Sequence, residues 1–202
     1  MNAAVPSSTE LVEFHDSCHS ESGWAKRGQV RHGTGVWRVI ELNHRYNCLL
    51  WDEEDLARRK QVSDTEIAQN KRAIDGFNQN RNDATERIDE TLLDRLATTN
   101  LKPGSRLSSE TAGSMVDRLS ILSLKIHHMR LQTLRTDVDH AHVQACTARL
   151  HRFFEQRRDL AGCLDRLLTE SLRGEASFKV YRQFKMYNDP KLNPAVYGEK
   201  AS

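Results

Sequence analysis

Glu86 and Asp89 in ERID stand three residues apart, and so do Asp52 and Asp55 in WDEED. On a helix that spacing puts both carboxylates of a pair on one face, where they offer the oxygen ligands that Mg²⁺ prefers. Asp75, Asn78, Asn82, Glu86 and Asp89 also form one stripe, ~110° around the axis from the apolar seam of the same segment. Amides and acids so placed either crosslink helices through a satisfied hydrogen-bond layer or line a polar pocket. The layer is the leading reading. The pocket would take in Asn43, Asn47, Glu54, Asp75, Asn78 and Asn82, with Arg118 and Lys125, one heptad apart, as cations for a phosphate or for internal ion pairs. His142 and Cys146, at i and i+4, offer two zinc ligands but lack an obvious second pair. His127 and His128 are adjacent and point apart, and His140 and His142 have strand spacing. No Gly-rich phosphate loop, G-x-S-x-G elbow or nucleophile–base pairing is visible. The expectation is no metal and no cofactor; the alternative is Mg²⁺ held by Glu86 and Asp89.

The elements that would position these groups belong to a chain of 202 residues, long enough for one domain with a real core. With 30 basic and 28 acidic residues the formal charge is +2, which supplies no strong, unselective pull toward nucleic acid or membrane. Cys18, Cys48, Cys146 and Cys163 are dispersed and form no C-x-x-C pair, so reduced thiols are expected. No stretch approaches the ~20 apolar residues of a membrane span, and the first residues lack a basic start followed by an apolar run. The expected location is the cytoplasm.

Residues 1–36 are polar and glycine-punctuated and read as a loosely ordered N-terminal arm with room for one short helix. From Val39, apolar residues at Leu42, Tyr46, Leu49 and Leu56 predict a first main helix ending near Lys60. Ser63 and Glu66 form a capping box that starts the next helix near Asp64, with a seam through Ile67, Ile74, Phe77, Ala84, Ile88 and Leu92 to Leu96. Pro103 and Gly104 mark a connector. The third helix, around Met115 to Leu131, is apolar on two faces and therefore central, and the fourth runs from Val138 to Leu172 with room for one break. The fold class is all-α: an antiparallel bundle of four main helices over residues 37–176, followed by a basic-aromatic tail over 177–202. In that tail Phe178, Tyr181 and Phe184 are expected to dock on the bundle while Lys179, Arg182 and Lys185 face water; the competing reading is stacking on a single nucleic-acid strand.

Antiparallel pairing about a turn near residue 62 sets Glu54 level with Asn70, and Glu86 level with Arg38. The two acidic pairs are then ~24 Å apart along the helices, too far for one ion. The same register brings Glu53 to Lys71 as an ion pair, and Asn43 and Asn47 close to Asn78 and Asn82.

Four blocks in order, ELNHRYNCLLWDEEDLARR, KRAIDGFNQNRNDATERIDE, SETAGSMVDRLSILSLKIHHM and VYRQFKMYNDPKLNP, resemble a bacterial all-helical family known only as a domain of unknown function. The resemblance covers roughly residues 39–197. It implies an association with genes for glycosyltransferases of lipopolysaccharide or other surface polysaccharides, and carries over no catalytic residue. The block from Asp117 to Ile126 is similar to one in another small helical family of such neighbourhoods. The acidic pairs are separately similar to the carboxylate motifs of all-α nucleotide pyrophosphohydrolases. The leading expectation is an accessory or scaffold protein of surface-polysaccharide assembly whose partner is a glycosyltransferase or another assembly enzyme; an oligomer stays open. The alternative is a Mg²⁺-dependent hydrolase or transferase acting on a nucleotide or nucleotide sugar. Nucleic-acid binding through the tail ranks third.

Overall fold

The computed structural model describes residues 5–27 and 29–198. Among these, the long helices are α1 (Ser8–His19), α2 (Gly35–Leu56), α3 (Asp64–Leu96), α4 (Ala112–Thr133) and α5 (His140–Leu172), and a short α6 spans Pro194–Gly198. The all-α class holds. Helices α2 and α3 form one hairpin, α4 and α5 a second, and α4 touches α1, α2, α3 and α5, as its two apolar faces require.

The start of α3 follows from local chemistry. Ser63 Oγ accepts from the Glu66 N–H, and the Glu66 carboxylate accepts from the Ser63 N–H at 3.1 Å, so two otherwise orphaned donors are satisfied. Ser63→Ala is expected to cost ~1 kcal/mol, measured as a lower denaturation midpoint with an unchanged m value. An unmoved midpoint would mean that the box contributes nothing.

Two expectations are corrected. The N-terminal arm is not loose: α1 carries its own capping box of Ser7 and Glu10, and buries Leu11, Phe14, His15 and Cys18 in the core. It is pinned to α5 where Asp165 accepts from the Ser8 N–H (2.8 Å) and hydroxyl (2.6 Å), and by an Arg157–Asp16 ion pair of 2.7 Å. Secondly, Glu53 does not pair with Lys71. Its carboxylate accepts from Asn70 Nδ2 at 2.6 Å, while Lys71 pairs with Asp75. The register is right to within one residue, but no residue from Trp51 to Ala73 is fully buried, so this end of the hairpin stands off the core and demands no charge pair. A pair of two-residue parallel strands, β1 (Arg106–Leu107) and β2 (Ala176–Ser177), also ties the α3–α4 connector to the end of α5. Gly174, with φ +71°, makes the turn into β2; a Cβ there would lie 2.2 Å from the Asn100 carbonyl oxygen.

Candidate functional site

Along α2, Val36, Val39, Ile40, Asn43, His44, Asn47 and Leu50 are buried at helical spacing, so three polar side chains sit in the buried face. Helix α4 meets them with Asp117 and Ser120. Asp117 Oδ1 accepts from Asn43 Nδ2 (2.8 Å) and Asn47 Nδ2 (2.9 Å); Asn43 also donates to Thr85 Oγ1 on α3 (3.1 Å), and Asn47 to Ser120 Oγ (3.0 Å). The result is a hydrogen-bonded layer joining three helices.

The other expected pocket residues disperse. Asn82 is buried and accepts from Arg81, Asp75 is exposed beside Lys71, Arg118 pairs with Glu110, and the Lys125 ammonium lies 6.0 Å from the Phe153 ring centre on α5. Only Asn47, Glu54 and Asn78 share an open cleft, of about 290 Å³, with Trp51, Arg58 and Arg81. Glu86 accepts from Arg182 (2.9 Å) and from the Gln183 N–H (2.8 Å), which straps the tail across α3. Asp89 accepts from the Gly113 N–H at 2.6 Å, because a Cβ on Gly113 would stand 2.4 Å from the Thr85 carbonyl oxygen and hold α4 away. Burial pushes the Asp89 carboxyl up to about 6, against the hydrogen bonds from Thr111 and Gly113. Both carboxylates of the Mg²⁺ reading are thus engaged by protein donors.

A second cavity, of about 310 Å³, opens where α1, α2 and α4 meet, lined by Cys18, His19, Trp24, Cys48, Asp52, His127 and His128. His44 lies beneath it, with Nδ1 2.8 Å from Ser120 Oγ and Nε2 3.8 Å from Cys48 Sγ. His19 Nε2 is 3.1 Å from Ser123 Oγ, whose own proton goes to the Ser120 carbonyl. His19 therefore donates from Nε2 and keeps its lone pair on Nδ1. His127 stacks on His19 with ring centres 4.7 Å apart, His128 stacks on Trp51 at 4.5 Å, and the buried His15 lies over His44 at 4.5 Å. Burial, and secondarily the neighbouring His19, pushes His15 down to about 3; burial and His127 push His19 to about 4; and burial holds His44 well below the usual imidazole value. These rings are neutral at physiological pH. Burial pushes the Cys18 thiol up to about 12 and raises that of Cys48 further.

Among the described residues, one group of three or more side chains is spaced to hold a metal ion: His19, His44 and Cys48, with one ligand atom of each within 4.8 Å of the others. The expected pair, His142 and Cys146, does approach to 3.4 Å, but among the described residues no third ligand joins it within 4.8 Å. His44 and Cys48 have the same i, i+4 spacing, so the signal that singled out one pair was present for both. The third ligand comes from α1, a helix for which the sequence left room but whose packing into the core it did not foretell.

The model of a family described as Protein of unknown function (DUF4254) matches residues 37–180. The chain belongs to that family. No curated protein and no solved structure matches it. The DUF4254 segment holds α2 to α5, the polar layer, His44 and Cys48; α1 with His19, and the residues after Val180, lie outside the matched range. Of the three rings expected to dock on the bundle, Phe178, just inside the segment, is buried as expected, whereas Tyr181 is 49% and Phe184 84% exposed. Residues 178–185 form no helix, so rings three apart do not share a face. No helix among the described residues is long and apolar enough to cross a membrane.

Proposed function

We propose that this DUF4254 protein is a helical accessory module that binds a protein partner through its C-terminal segment. The observation that carries the reading is the exposure of Phe184 (84%), Tyr187 (64%), Met186 (60%) and Tyr197 (53%) in one short stretch, interspersed with Lys185 and Lys191. Exposed apolar side chains gathered in one place mark interaction sites. The segment is also held in position, by Phe178 in the core and by Arg182 on Glu86 and Glu90 of α3. A partner with an apolar surface and an acidic rim fits it. The family resemblance favours an enzyme of surface-polysaccharide assembly as that partner. Nucleic-acid binding ranks below it because Arg182, a base the strand would need, is already committed to two carboxylates.

Replacing Phe184 and Tyr187 together by Ser is expected to leave stability within ~0.5 kcal/mol, because both side chains face water. The same variant should lose a polysaccharide-assembly enzyme that the tagged wild type retains from the cells that encode it, as identified by mass spectrometry. Equal retention by both chains, or a wild type that instead binds single-stranded nucleic acid with steep salt dependence, would overturn the reading.

A further inference from the structure

We propose that His19, His44 and Cys48 form a zinc site at the floor of the α1/α2/α4 cavity, with three protein ligands and a fourth position open to the cavity. Cys48 and His44 lie one turn apart on α2, and His19 is brought in from the last turn of α1. The ligand atoms lie within 4.8 Å of one another, and a tetrahedral zinc centre needs ~3.3–3.6 Å between nitrogen and sulfur ligands. Side-chain rotations would have to close the remaining gap.

The surroundings are those of a metal site in three further respects. Ser120 engages Nδ1 of His44 and Ser123 engages Nε2 of His19, so each ring keeps its other nitrogen for a metal while a hydroxyl fixes its orientation. Both hydroxyls come from α4, so the ion would tie α1 to α2 against a prearranged outer shell. Finally, Cys48 Sγ approaches His44 Nε2 at 3.8 Å, a long and weak contact that a bond to a metal would readily replace.

The donor set decides the metal class. Two imidazoles and a thiolate suit Zn²⁺ and Co²⁺; Mg²⁺ and Ca²⁺ require oxygen ligands and do not fit. Binding replaces the Cys48 thiol proton, which leaves to solvent, while the two neutral imidazoles lose nothing. Zinc plus thiolate carries a net +1, so an anion such as hydroxide or a small carboxylate is favoured at the fourth position.

The test uses the reduced, chelator-stripped full chain titrated with Co²⁺. One equivalent should bind, with tetrahedral d–d bands, a sulfur-to-cobalt charge-transfer band and release of one proton per ion, and Zn²⁺ should displace it. Cys48→Ser should abolish the charge-transfer band, with Cys48→Ala giving the same result if serine unsettles the buried face. His19→Gln should weaken binding at least ~10-fold. Cys146→Ser should change nothing. A wild type that binds no stoichiometric Co²⁺, a band that survives loss of Cys48, or a band lost in Cys146→Ser would overturn the proposal.

Discussion

Replacing Arg45 by Met is expected to lower the unfolding free energy by about 3–5 kcal/mol, because it strands a buried carboxylate. Glu41 is fully buried, and its carboxylate accepts the backbone N–H groups of Arg31 and His32, all at 2.9 Å. Arg45, one turn on, supplies the countercharge at 3.5 Å. Its guanidinium also donates to the carbonyls of Ala25 and Gln29 and lies 4.7 Å from the centre of the Trp24 ring. Methionine keeps much of the volume and removes the charge together with every donor. Chemical denaturation should show the loss, while Arg58→Met, which breaks the exposed pair with Glu54, should cost no more than ~1 kcal/mol. Similar losses for the two variants would mean that the segment before α2 is not locked to the bundle through Glu41.

Asp89→Asn should gain on the wild type as pH rises, by about 2 kcal/mol between pH ~4 and ~7, whatever the pH-independent cost of the substitution. The folded carboxyl sits at about 6, above its ordinary value of 3.8. Between those values the folded state holds the proton more tightly than the unfolded chain. Its contribution to stability is therefore fully present below 3.8 and is lost as pH rises through 6. The amide does not titrate, so the difference between the two stability curves isolates Asp89 from the buried histidines, whose lowered values act with the opposite sign below ~6.5. A flat difference would mean that the Gly113 and Thr111 donors fully compensate for burial. The variant also addresses the Mg²⁺ alternative, because any metal-dependent phosphate or pyrophosphate release should vanish with it.

The parts of this molecule that were legible in the sequence are those set by neighbours along the chain. Ser63 and Glu66 mark the start of α3 because both halves of the capping box lie within one turn. The two apolar faces of α4 announce its central place. By the same logic α1 was open to reading, since Ser7, Glu10, Leu11, Phe14 and Cys18 carry a box and a stripe, but the glycine-rich residues after it obscured them. Partners across the bundle were less accessible. Asn43 and Asn47 are bound by Asp117 and Ser120, seventy or more residues away, and not by the amides that hairpin register sets beside them. The His19–His44–Cys48 group depends on how α1 packs, which no local pattern specifies. The exposed rings of the tail follow from a segment that is not helical, where helical spacing loses its meaning.

The β1/β2 pairing also has a consequence for how the molecule is made. Arg106 and Ala176 belong to the same small ladder, yet the entire α4/α5 hairpin separates them in the chain, and the pairing is parallel. During synthesis the second strand emerges only after α5, so the connector before α4 must wait, unpaired, until that hairpin has closed. The amide protons of Arg106 and Ser108, bonded to the Glu175 and Ser177 carbonyls, are then clocks for the last step of assembly. They gain protection from exchange after the helices do, and they lose it first when the end of the chain lets go.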